Sequence, residues 1–164
     1  MTRRRLTNDN WGLDSNCFVC ESRNTSGLQL ELFVDDEAGV VDAAVKLGHA
    51  YSGAPAVVHG GISLAVLDEV QAWAVIALHR QWAVTVETGA RFHQPVWVDK
   101  PYRAVGRVVS FDADRVLTEG RIEDGDGVVC VESTATFQPI GEATAVAWAG
   151  AEMKAEHRHY LRDD

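Results

Sequence analysis

The 164-residue sequence is short of cysteine, of positive charge and of long apolar runs, and each shortage removes a class of function. Three cysteines are an odd number and make no disulfide framework, and a cytosolic setting keeps thiols reduced. Cys17 and Cys20 form a single Cys-x-x-Cys. No second pair and no His-x-x-x-His at finger spacing follows, so the four ligands of a zinc site are not assembled along the sequence, and no metal or cofactor is expected. A formal net charge of -9 gives no general attraction to nucleic acid or anionic lipid, which calls for a basic stripe or patch. The one basic run, Arg3-Arg4-Arg5, lies in a polar segment expected to be a flexible tail over residues 1–16. No apolar run of signal-peptide length follows it, which points to the cytoplasm. The most apolar stretch, Ile62 to Leu78, falls short of the roughly 20 residues of a membrane span and carries Asp68, Glu69 and Gln71 near its middle. It reads as a buried helix.

What is present is periodicity. With 46% hydrophobic residues the chain can fill one core, and one domain is expected over 17–140, with a helical extension over 141–164. Leu28, Leu30, Leu32 and Val34 alternate with polar residues, as do Val41, Ala43, Val45 and Leu47 after a turn at Asp35 to Gly39; this predicts a hairpin. A Gly/Ser/Pro-containing loop leads into the apolar helix, which begins near His59. Strand patterns follow at Val84 to Phe92, Tyr102 to Phe111, Val116 to Ile122 and Val128 to Phe137, separated by Asp- and Gly-rich turns. Ala143 to Leu161 reads as a surface helix. Two strands, one long helix and four strands, without repeated β-α-β units, predict an α+β fold with an antiparallel sheet wrapped around the helix. A helix apolar on nearly every side needs more cover than one curved sheet gives, so a second subunit is expected.

Two features carry chemistry. Asp68 and Glu69 are carboxylates on an otherwise apolar helix; one of them faces a site, or both lie on a solvated stripe. His59-Gly60-Gly61 puts two residues without side chains where the first free N–H groups of a helix point outward, a terminus suited to developing negative charge on a carbonyl oxygen.

The run Pro55-Ala56-Val57-Val58-His59-Gly60-Gly61-Ile62-Ser63-Leu64-Ala65-Val66-Leu67-Asp68-Glu69 resembles the signature of PaaI-like hotdog acyl-coenzyme A thioesterases, in which His-Gly-Gly is followed by an aspartate at the spacing of Asp68. Cys17-Phe18-Val19-Cys20 with Gly27-Leu28, and Arg91-Phe92-His93-Gln94-Pro95-Val96, resemble further elements of that family, so the likeness spans Cys17 to Phe137. The resemblance implies the hotdog fold and hydrolysis of an acyl-coenzyme A thioester. It implies catalytic roles for His59, Gly60, Gly61 and Asp68, with Thr85 helping to hold the attacking water or the carboxylate. Val58, Glu69 and Arg91 are the candidates for substrate contact, with Lys100, Arg103 and Arg107 as other cations for coenzyme A phosphates. An asparagine found in some members six residues before the histidine is replaced here by Gly53.

Asp68 acts as nucleophile or as general base, and the sequence does not choose. Nine residues of helix put His59 and Asp68 about 13 Å apart, too far for one carbonyl to meet both. A homodimer is therefore expected, or a tetramer of two such dimers, with His59-Gly60-Gly61 of one subunit facing Asp68 of another. The alternative function is a non-catalytic hotdog protein that binds acyl-coenzyme A; a hydratase or dehydratase on the same fold is disfavoured by the nine-residue spacing.

Overall fold

Burial along one strand shows how the sheet is built: in Val116–Glu123 the residues Val116, Thr118, Gly120 and Ile122 are buried and their neighbours are not. That period of two gives the sheet one covered face, and a single long helix covers it. The structure, a computed structural model, describes residues 3–8, 15–149 and 154–160. Its elements in chain order are β1 (Arg3–Leu6), β2 (Leu32–Asp35), β3 (Val40–Val45), β4 (Ser52–Ala54), β5 (Val57–Val58), α1 (Gly60–His79), β6 (Ala83–Phe92), β7 (Tyr102–Phe111), β8 (Val116–Glu123), β9 (Val129–Pro139) and α2 (Glu142–Ala149). Seven strands form one sheet in the order β1-β2-β3-β7-β8-β9-β6, with every neighbouring pair antiparallel. Strands β4 and β5 make a separate small ladder just before α1.

The turns form where carboxylates can serve backbone donors. Asp35 accepts from the N–H groups of Glu37 and Ala38, Asp112 from those of Asp114 and Arg115, and Asp124 from those of Asp126 and Val128.

Helix α1 has 20 residues, a length and apolarity that would also suit a membrane span, and here they serve the sheet. Val66, Leu67, Val70, Ala74 and Val75 are fully buried against it. The approach is closest over Gly106 of β7 and Gly120 of β8, which pair with each other. A Cβ on Gly106 would lie 2.5 Å from the Val70 carbonyl oxygen, and one on Gly120 would lie 2.9 Å from Gln71 Nε2. The helix backbone thus rests directly on the sheet, and the Gln71 side chain is fully buried in the contact. Its Nε2 donates to Leu67 O at 2.9 Å and to Ser133 Oγ at 2.8 Å, while its Oε1 accepts from Thr118 Oγ1 at 2.8 Å. Both amide protons are used, so burial leaves no donor of this side chain unpaired.

Three expectations change. Arg3–Leu6, placed by the sequence reading in a flexible tail, form the edge strand β1 on β2. The cause is Asp42, a buried carboxylate on β3 that binds Arg3 at 3.1 Å and Arg103 at 3.0 Å; the Arg3 guanidinium also lies 4.0 Å from the Phe33 ring. The first hairpin strand starts at Leu32 rather than Leu28. The N–H groups of Leu28 and Leu30 bond instead to Phe18 O and Val19 O, and Gln29 has a φ of 51°. The C-terminal extension is not helical in one form throughout: α2 covers Glu142–Ala149, Ala155–Tyr160 form a 3-10 turn, and the expected end at Leu161 lies outside the described residues. Ala145 of α2 packs on Ile140 beside Trp82 and Val84, which ties the extension to the start of β6.

Candidate active site

The loop before α1 orients the helix terminus. The His59 N–H donates to Tyr51 O at 2.8 Å and the Val58 N–H to Val96 O at 2.8 Å, so the 3-10 turn at His49–Tyr51 and the segment after β6 clamp this turn. His59 is the N-cap, with φ -59° and ψ 132°, and its Nδ1 accepts from the Gly61 N–H at 2.9 Å. That bond puts the proton of the neutral ring on Nε2. The Ile62 and Ser63 N–H groups both reach His59 O, at 2.9 and 3.2 Å. Of the four donors that a helix start leaves over, the Gly60 N–H is the one these bonds do not engage.

Gly53 sits under the His59 side chain: a Cβ there would lie 3.0 Å from His59 Cα and 3.0 Å from its Cδ2. The imidazole occupies the space that a side chain at position 53 would need. The departure from the family's asparagine is therefore coupled to the rotamer by which His59 caps Gly61.

Beside the terminus lies a cleft of about 390 Å³ lined by Val57, Val58, Gly60, Ser63, Phe92 and Val96, among others. Phe92, the last residue of β6, is near enough to Gly60 that a Cβ on the glycine would touch its ring at 3.4 Å. The sequence reading assigned no role to Ser63 or Phe92. Their signal is topological, since β6 runs back along α1 and returns its end to the helix start.

Two turns further along α1, Asp68 meets β6 again. Thr85 Oγ1 donates to Asp68 Oδ1 at 2.7 Å. Asp68 is half-buried, Thr85 is exposed, and among the described residues no cation pairs with Asp68. A bulge between Thr85 and Glu87 breaks the regular pairing of β6 with β9, and such an extra residue re-aims the side chains beside it.

Glu69 is not brought to this pair. Consecutive residues on a helix point about 100° apart, and Glu69 turns toward the N-terminal loop. There its Oε1 accepts from Trp73 Nε1 at 2.9 Å, and both its oxygens lie 3.5 Å from Cys17 Sγ. Burial pushes its carboxyl up to about 7, helped by the neighbouring Cys17 sulfur. The Cys20 thiol at hand lowers the pKa of Cys17 to about 5, while the same contact and burial raise that of Cys20.

Arg91 is exposed on β6 and lines a groove of about 450 Å³ together with Arg107, Arg121, Glu119 and Glu132, apart from the Phe92 cleft. Arg103 is engaged by Asp42 and Glu123, and Arg107 by Glu119.

One long helix held against an antiparallel sheet is the hotdog architecture. The thioesterase superfamily model matches residues 56–131, the stretch from the turn before α1 into β9. Among solved structures it is similar to a thioesterase superfamily protein at 29% identity and a TM-score of 0.70, over 75% of this chain and 60% of that one. This chain thus spans less than two thirds of that relative. A putative thioesterase from Ralstonia eutropha, related to phenylacetic acid degradation, aligns at 25% identity and a TM-score of 0.57, over 64% of this chain and 80% of that one. A hypothetical thioesterase from Streptococcus pneumoniae, solved with coenzyme A, shares the fold at 19% identity and a TM-score of 0.62, over 68% of this chain and 86% of that one. A comparison with curated proteins finds no match.

Proposed function

We propose that the protein hydrolyses an acyl-coenzyme A thioester to the free acid and coenzyme A, at a site completed by two copies of the chain. The observation that carries this reading is Asp68, a carboxylate without a cationic partner among the described residues, held at 2.7 Å by Thr85 on an edge strand. A carboxylate kept for stability alone would be expected to bind a cation or cap a helix. The solved relative with coenzyme A supports the choice of thioester.

The Gly60 N–H polarises the thioester carbonyl, at the positive end of α1, and stabilises the oxyanion as it forms. His59 fixes the terminus by taking up the Gly61 N–H, and the Phe92 cleft beside Val58 receives the acyl group. Asp68 works in one of two ways. As a general base it takes a proton from water while the water oxygen attacks the carbonyl carbon; the C–S bond then breaks, and the proton passes to the departing thiolate. As a nucleophile its own oxygen attacks and expels the thiolate, which takes a proton from solvent, and water then opens the resulting anhydride. Thr85 holds the carboxylate in either route. Arg91 is the cation on this edge best suited to a coenzyme A phosphate.

The two halves of this machinery lie about 13 Å apart along one helix, so Asp68 of one subunit serves Gly60 of the partner subunit. The outer edge of β6 is the contact that brings them together. It is ten residues long, it pairs among the described residues with β9 alone, and Val86 and Phe92 on it are 53% and 54% exposed. A long edge with exposed apolar residues invites pairing with another strand, and a two-fold axis lets it pair with its own copy. The protein is read as cytoplasmic, in a dimer or a pair of dimers.

The test is thiol release from short, medium, long and aromatic acyl-coenzyme A substrates, with sedimentation of the same sample. The reading expects turnover of at least one substrate by a dimer or larger assembly, and its collapse in Asp68→Asn. A fully active monomer sinks the two-chain site; binding of acyl-coenzyme A with no turnover of any substrate sinks the enzyme.

A further inference from the structure

The loop of Cys17 and Cys20 lies outside the hydrolytic machinery, and its construction is more exacting than a surface turn needs. The segment is held from both sides: the Glu21 N–H reaches Cys17 O at 3.2 Å, while the Leu28 and Leu30 N–H groups pair with Phe18 O and Val19 O at 2.8 Å. Gly27 is pressed against it so tightly that a Cβ there would collide with the Phe18 carbonyl oxygen. Inside this frame the Val19 N–H points at Cys17 Sγ at 3.3 Å, and Asn8 Nδ2 donates to Cys20 Sγ at 3.2 Å. Backbone N–H groups aimed at the first sulfur of a Cys-x-x-Cys turn are suited to a thiolate that carries charge while bound to a cation.

The third member comes from α1. One Sγ from each cysteine and one oxygen of Glu69 all lie within 4.8 Å of one another, and Cys17 Sγ is 3.5 Å from each Glu69 oxygen. With Zn–S near 2.3 Å and Zn–O near 2.0 Å, a tetrahedral site requires sulfur and oxygen ligands about 3.5 Å apart and two sulfurs about 3.8 Å apart. Trp73 Nε1 donates to Glu69 Oε1 at 2.9 Å, the kind of outer hydrogen bond that orients a ligating carboxylate and leaves its other oxygen for the ion.

We propose that Cys17, Cys20 and Glu69 bind a divalent ion of the zinc class, which pins the N-terminal loop to α1. Two thiolates with one carboxylate suit zinc and exclude magnesium and calcium, which take oxygen ligands. A dithiol redox centre fits the geometry less well. A carboxylate stands against the pair, which a bound cation uses as a ligand and a free thiolate does not. The site is separate from the hydrolytic one: Glu69 follows Asp68 in sequence, but it faces the loop while Asp68 faces β6.

The test uses the reduced full-length protein with cobalt(II) as the probe and zinc as competitor. The proposal expects one cobalt per chain with a near-ultraviolet thiolate-to-metal charge-transfer band, its displacement by zinc, and a rise in Tm on zinc addition. Cys17→Ser and Cys20→Ser should lose the band. Glu69→Gln keeps an acceptor for Trp73 and should weaken binding at least tenfold, while Asp68→Asn should bind as the parent does. If a serine variant fails to fold by circular dichroism, alkylation of the parent protein decides, since bound zinc must slow modification of both Cys17 and Cys20. A reduced protein that shows neither band nor protection overturns the proposal and leaves a hydrogen-bonded thiol–carboxylate cluster. A band that survives in both serine variants overturns it as well.

Discussion

The two edges of the sheet are built to opposite ends. Strand β1 is four residues long, and its three arginines are paired with Asp42, Asp36 and Glu31. Strand β6 is ten residues long, carries Val86 and Phe92 largely exposed, and runs past both the Asp68–Thr85 pair and the start of α1. Short charged edges resist further pairing and long apolar ones invite it. The difference underlies the proposed place of a second copy. The edge beside β1 is closed by charge, and on the proposed reading the edge beside β6 takes the contact that completes the site.

The comparison breaks most visibly through chemistry on the β6 side. Asp68→Asn is expected to lower kcat/KM by about 10²- to 10⁴-fold with Tm almost unchanged, because it removes an acid–base group from a half-exposed position. Gly60→Pro is a sharper probe. Proline suits the first helical position, His59 already has the extended conformation that a following proline requires, and the change removes the N–H while its Cβ meets the Phe92 ring at 3.4 Å. The expected loss in kcat is about 10²- to 10³-fold with the helix intact by circular dichroism, as for removal of one oxyanion donor.

Next in size is the assembly itself. Val86→Arg puts a charge on the apolar edge and should convert the dimer to monomer in sedimentation, with activity lost alongside it. Arg3→Ala, on the opposite edge, should leave dimer and activity alone. It costs about 1 kcal/mol in urea unfolding, since Asp42 keeps Arg103.

The smallest effect is a pH dependence close to β1. The Arg23 side chain bonds to Glu21 and lowers its carboxyl from the ordinary 4.5 to about 2. A folded-state pKa below the unfolded one gives stability that is present above 4.5 and is lost as pH falls toward 2. Tm of the parent protein should therefore drop more steeply across that window than Tm of Glu21→Gln, and parallel curves would contradict the pairing.

These edges also mark how far the sequence could be read. Strand β8 begins at Val116 and α1 begins beside His59, as the patterns predict, and in β8 burial within this chain writes the period of two. The alternation in β6 carries the same pattern, yet its residues are mostly exposed here; under the proposed two-chain site, the partner subunit supplies their cover. The arginines of β1 looked like a solvated tail because their partner, Asp42, lies far along the sequence. Spacing placed Asp68 on α1 but could not say which way Glu69 turns. That depended on the Cys17 loop and Trp73, contacts that no local pattern records.

The central claim is that each site draws Asp68 from one subunit and Gly60 from the other, and mixing two inactive variants tests it most directly. Asp68→Asn and Gly60→Pro are each expected to be nearly silent as homodimers. After the two are unfolded and refolded together, half of the dimers are mixed and each holds one intact site, so activity should return to about a quarter of the parent value. If mass spectrometry finds the mixed dimers and the activity stays silent, the site lies within one chain and the account is wrong.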